Sequence, residues 1–107
     1  MFIGIEVLTA SLTKKLPKEE QFGLSDQMRR ASVSIPSNIA EGFGRHSSKD
    51  YSRFLSIARG SKYELETQLQ ICTMLDYISK NECDETLFLL EEVGKMLNAL
   101  INKLTNA

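Results

Sequence analysis

The chain has 107 residues, enough for one domain with a core of its own. Its 13 basic and 14 acidic side chains give a net charge of −1, which excludes a positively coated surface for bulk nucleic-acid binding. The two cysteines are eleven residues apart without CxxC spacing, which favours free thiols over a bridge.

The first predicted helix runs over Ile3–Lys15, with Ile5, Leu8 and Leu12 as its apolar stripe. Leu16-Pro17 ends it, because proline disfavours helix in the residue before it. Lys18–Gly23 reads as a connector. The second helix spans Ser25–Phe43, with Ser25 as N-cap and Met28, Ala31, Ile35 and Ile39 facing inward. Gly42 and Gly44 stop it.

The third helix spans Ser48–Ile78, with Ser47 as cap and Asp50 three residues on. It carries two stripes. Phe54, Ala58, Ser61, Leu65, Leu69, Cys72 and Leu75 mark the first; Ile57, Ile71, Met74 and Ile78 mark the second. Two stripes on one helix predict two contacts, the bundle core and a neighbouring subunit. The fourth helix spans Glu82–Leu104, capped by Asn81, with Leu87, Leu90, Leu97, Ile101 and Leu104 inward. No segment reads as a strand. Short connections between four amphipathic helices predict an all-α, antiparallel up-down-up-down four-helix bundle over residues 1–107.

Charge is unevenly spread. Residues 28–62 hold seven basic and two acidic side chains, and residues 63–107 hold three and eight. Around a turn at Arg45–Ser47, residues of helices two and three at one level have numbers summing to about 92, in an antiparallel hairpin. Ala31–Ser34 then faces Ala58–Ser61, small against small. The same rule puts Glu41 near Lys49 and Arg53, and Arg30 near Lys62 and Glu64. It leaves Arg29, Arg45, Lys49 and Arg59 without a hairpin partner, and these are the candidate phosphate or subunit contacts. Pro36 removes one N–H and crowds the Ser32 carbonyl, so a kink is expected, with Ser32, Ser34 and Ser37 serving the disturbed backbone. The turn Gly42–Lys49 opens a helix. Ordinary capping is the simpler reading and a phosphate contact the alternative. Phe43 reads as core.

Catalytic chemistry finds no footing. His46 has only neighbouring serines beside it, and the paired Glu-x-x-His of a di-metal bundle is absent. Glu41, Glu64 and Glu66 read as salt-bridge partners. No cofactor or metal is expected. Cys72 and Cys83 read as buried free thiols in a reducing cytoplasm. No signal peptide and no membrane span is expected.

The segments GLSDQMRRASVSIPSNIAEGFGR (Gly23–Arg45), FLSIARGSKYELETQL (Phe54–Leu69) and LTKKLPKEEQFGL (Leu12–Leu24) closely resemble the 23S rRNA intervening-sequence family. The motif positions are Pro36, Asn38, Glu41, Gly42, Gly60 and Ser61. The resemblance implies a four-helix bundle that assembles as a ring, typically a pentamer, with no established activity. The chain also looks like the accessory proteins of diversity-generating retroelements, basic pentamers that associate with nucleic acid. The resulting expectation is a non-enzymatic homo-oligomer that contacts RNA or a ribonucleoprotein. The alternative is a structural oligomer or protein adaptor without nucleic acid. Family members usually begin helix one about two turns earlier, which predicts that Phe43, Tyr51 and Phe54 lack a covering helix within the subunit.

Overall fold

Helix α1 (Phe2–Thr13) leads through a single 3-10 turn (Lys18–Glu20) into α2 (Leu24–Phe43), α3 (Ser48–Met74) and α4 (Lys80–Thr105). The computed structural model describes residues 2–106, with side chains from Gly4 onward. Each helix packs on the next, and α1 closes the bundle against α4. The antiparallel sense shows in paired ends. Lys15, just past α1, meets Glu82 in the first turn of α4, and Met28 of α2 touches Cys72 of α3 through sulfur at 3.6 Å.

The predicted stripes build the core. Ile5, Leu12, Met28, Ala31, Ile35, Ala58, Leu65, Leu69, Cys72, Leu90, Leu97 and Ile101 are all buried. Each large aliphatic contributes about 1.5–3 kcal/mol on burial. Leu55, Cys83 and Val93, outside the predicted stripes, join them. Leu75 does not: it is exposed, because the helix ends before it.

Helix α1 ends at Thr13 rather than Lys15, and three further boundaries differ from the sequence reading, each for a local reason. Helix α3 stops at Met74 rather than Ile78. Asp76 takes φ 60°, its N–H donates to Thr73 O, and the Tyr77 N–H reaches back to Cys72 O at 2.9 Å. This is a Schellman closure with aspartate in the left-handed position usually held by glycine. Ile78 is buried beyond that turn and is no part of an outer stripe. At the start of α2 the cap is Gly23, without a side-chain bond, and Ser25 lies inside the helix and is buried. Glu20 Oε1 accepts the Leu24 N–H instead, at 3.4 Å. Helix α4 is capped by Ser79, not Asn81. Ser79 Oγ accepts from Glu82 N–H while Glu82 Oε1 accepts from Ser79 N–H, a complete capping box.

Candidate functional site

The α2–α3 hairpin is held at close range by small residues. Gly42 is buried, and a Cβ there would stand 2.8 Å from Phe54 Cβ and 2.9 Å from Tyr51 Cδ1. Only glycine lets the first turns of α3 seat against the end of α2. Further along, Ser61 Oγ donates to Ser34 Oγ at 2.8 Å, so levels sum to 95 there rather than 92. The Asn38 amide donates to the same Ser34 hydroxyl at 2.9 Å and to the Ser34 carbonyl at 2.8 Å. Asn38, Ser34 and Ser61 thus form one polar clasp.

Pro36 sits within α2, which runs on through it to Phe43. The hydroxyls do not serve the Ser32 carbonyl that Pro36 deprives of a donor. Ser32 Oγ turns instead to the Arg29 carbonyl at 2.8 Å. Gly60 of the same motif has nothing within 4 Å of a would-be Cβ and faces open space.

The loop end of the hairpin is a cluster of aromatics and cations. Ser47 Oγ accepts the Asp50 N–H at 3.1 Å, the expected cap of α3. Phe43 is 77% exposed and meets Tyr51 edge-on, with centroids 6.2 Å apart. It is therefore not core. The Arg45 and Arg53 guanidinium carbons each lie 4.7 Å from the Phe54 ring centroid, in cation–π range.

Arg45 is not unpartnered: Glu41, one turn back on α2, accepts its Nη2. Glu41 consequently does not serve Arg53, which leans toward Asp50 at 3.8 Å, nor Lys49. Arg30 pairs with Asp26 at 3.0 Å rather than across the hairpin. Local i,i+3 and i,i+4 pairs win because they order side chains already held at that spacing by one helix.

Of the four candidate cations, Arg29 and Lys49 are exposed and have no carboxylate partner among the described residues. Arg59 reaches across to α4 and donates to Asn98 Oδ1 at 2.9 Å. The four do not form one site. From Arg29 to Phe43, at the loop end of α2, is about 21 Å of helix.

Arg29 instead borders two concave regions. One is a cleft of about 190 Å³ at the α1–α2 corner, shared with Lys14, Lys18 and Ser25. The other is a shallow groove along α2 with Arg30, Val33 and Asn38. The sequence reading places Lys14 in the first helix and Lys18 in the connector, and gives neither a contact. The signal available was the run Lys14-Lys15-Leu16-Pro17-Lys18, basic on both sides of a forced turn.

Lys62 is a further residue the sequence conceals. It is buried between α3 and α4, with Nζ 3.1 Å from Glu66 and 4.2 Å from the Tyr63 ring centroid. Both cysteines are buried and free. Burial pushes the Cys72 thiol up to about 11 and raises Cys83 as well. No cluster of metal-ligating side chains occurs among the described residues. No helix among them is long and apolar enough to cross a membrane.

No curated protein matches the chain. A solved structure from Bacteroides thetaiotaomicron VPI-5482, described as a protein with unknown function from the S23 ribosomal protein family, is 27% identical. It covers 94% of each chain with a TM-score of 0.86, so the whole bundle is shared. The family of 23S rRNA-intervening sequence proteins matches over residues 4–99, which includes all three of the segments quoted above. The chain belongs to that family, whose function is unknown.

Proposed function

We propose that this protein is a non-enzymatic, self-associating bundle that contacts RNA phosphates through cations of the α2–α3 hairpin. The observation that carries this reading is how the seven hairpin cations divide. Arg30, Arg45, Arg53 and Lys62 are each met by a carboxylate on α2 or α3 within four residues. Arg29, Lys49 and Arg59 are not: Arg29 and Lys49 are exposed, and Arg59 gives one donor to the neutral Asn98 amide. Phosphate contacts of that kind need no sequence readout.

Self-association is supported by the outer face of α3. Ile57, Gly60, Glu64, Thr67, Ile71 and Met74 follow each other at alternating spacings of three and four, and all are exposed. Ile57 and Ile71 are about 40% exposed and Met74 80%. A face with that spacing suits a second helix. A homo-oligomer covers it, and five subunits is the number the family resemblance implies.

Two measurements test the reading. Retention of labelled RNA should fall steeply as salt rises, because released counterions drive phosphate contacts. Native mass spectrometry should return a multiple of the chain mass. No RNA retention at about 50 mM salt, where such contacts are strongest, refutes the RNA arm and leaves a structural oligomer. A monomeric mass refutes self-association.

A further inference from the structure

The cleft at the α1–α2 corner gathers cations from both sides of the forced turn at Pro17. Three of its eight lining residues are cations, Lys14, Lys18 and Arg29, and none has a carboxylate partner among the described residues. Of the carboxylates closest to them in sequence, Asp26 holds Arg30, and Glu20 serves the Leu24 N–H and the Tyr77 hydroxyl. Glu19 alone among them is uncommitted.

Ser25 adds a polar wall to the cleft and is only 4% exposed. Thr13, also buried on the wall, spends its proton on the Ala10 carbonyl at 2.9 Å and keeps its lone pairs. The volume, about 190 Å³, is many times the roughly 10–15 Å³ needed to admit one water.

We infer that this cleft is a binding site for a phosphate-class oxyanion, with Arg29, Lys14 and Lys18 supplying charge and the Ser25 hydroxyl a hydrogen bond. A planar guanidinium offers two parallel donors to phosphate oxygens, and the two lysines act as point charges. The site is built from the corner of α1 and α2 and stands whether or not the hairpin binds RNA. The same chemistry accommodates a free phosphate monoester or one phosphate of an RNA backbone.

The test is equilibrium dialysis of the full chain against radiolabelled inorganic phosphate, with ionic strength held constant by chloride. One saturable site per chain is expected. Arg29→Gln, and separately the Lys14→Gln/Lys18→Gln pair, should weaken it at least about tenfold, the scale of losing one charge-assisted contact. Ser25→Ala should weaken it less, and Lys103→Gln, in the last turn of α4, should leave it unchanged. Circular dichroism checks that each variant folds. Absence of saturable binding in the wild type, or equal binding in the folded Arg29→Gln variant, overturns the site. Competition distinguishes the two sources. If single-stranded RNA displaces the label, the site takes a backbone phosphate; if only a phosphate monoester does, the site stands and its occupant is a small molecule.

Discussion

Lys62 of α3 lies across Gly94 of α4: a Cβ on Gly94 would stand 2.9 Å from Lys62 Nζ and 3.1 Å from its Cδ. The glycine is a notch through which a buried lysine passes to reach Glu66. Alanine asks only the flexible end of the lysine to shift, and its higher helix propensity offsets the strain. Valine is larger and fits no such adjustment. Gly94→Val should therefore destabilise the fold by roughly 1–3 kcal/mol, measured by urea denaturation. Gly94→Ala should stay within about 1 kcal/mol of wild type. Equal effects would show that Lys62 does not occupy the notch in solution.

The two motif glycines on this hairpin should respond in opposite directions. At Gly42 a methyl group meets Phe54 and Tyr51 below 3 Å, and these belong to a packed helix start rather than a loose chain end. Gly42→Ala should cost about 1–3 kcal/mol. At Gly60 a methyl group meets nothing within 4 Å, so Gly60→Ala should stabilise the subunit by about 0.5–1 kcal/mol. A destabilising Gly60→Ala, or one that lowers the oligomer mass, would show a neighbouring copy seated on that face.

Helical periodicity was enough to read four helices and most of their inward residues, because apolar spacing and core burial are the same constraint. The ends were less legible. The apolar period continues through Leu75 and Ile78 although the backbone turns at Asp76, and aspartate advertises a left-handed residue far less than glycine does. Ser25 looked like a cap because serine usually is one, yet Gly23 takes that place and leaves the serine on a cleft wall. Charge pairing misled for Arg45 and Arg30. Cross-helix levels describe which residues are near, whereas each arginine takes the carboxylate one turn away on its own helix. The α1–α2 corner was hidden because its parts are far apart in sequence, from Lys14 to Arg29.

Acid should weaken one tie between α1 and α4. Lys15 Nζ lies 2.7 Å from Glu82 Oε2, and the Ser79 N–H donates to Oε1 at 3.0 Å. Together they hold the Glu82 carboxyl at about 2, against an ordinary 4.5. The unfolded chain binds this proton first as pH falls. The stabilisation is thus complete above 4.5 and is lost as pH drops toward 2. Glutamine at this position keeps the capping box and removes the charge. The melting-temperature gap between wild type and Glu82→Gln should be flat at neutral pH and close across that acid window. Salt should narrow it too, since both side chains are substantially exposed. A gap independent of pH would show that the ion pair contributes nothing.

The thiols should report global opening. Burial raises both cysteines, and Cys72 lies against the Met28 sulfur in the core. Thiolate is the reactive form, so neither should react with a thiol reagent at about pH 8 while the bundle is folded. Labelling rates should rise with denaturant in step with unfolding, at both sites together. Rapid labelling of one cysteine alone in native buffer would reveal a local opening at the α3–α4 end.

The RNA reading makes a prediction about salt dependence that a merely structural role for these cations does not. The side chains of Lys49 and Arg29 have no charged partner among the described residues. Both can be removed without breaking an ion pair. Arg45 is a poorer probe, since its loss also releases Glu41 and uncovers Phe54. Each phosphate contact on a single strand adds about 0.7 to the slope of log K against log salt. Arg29→Ala with Lys49→Ala should therefore flatten that slope by about 1.4 and weaken binding alike across unrelated sequences. Asp26→Asn supplies the control of opposite sign: it frees Arg30 from its partner and should steepen the slope. If the double variant lowers affinity with the slope unchanged, the two residues do not contact phosphate and act through the assembly instead. If affinity and slope both stay at wild-type values, RNA meets the bundle on another face.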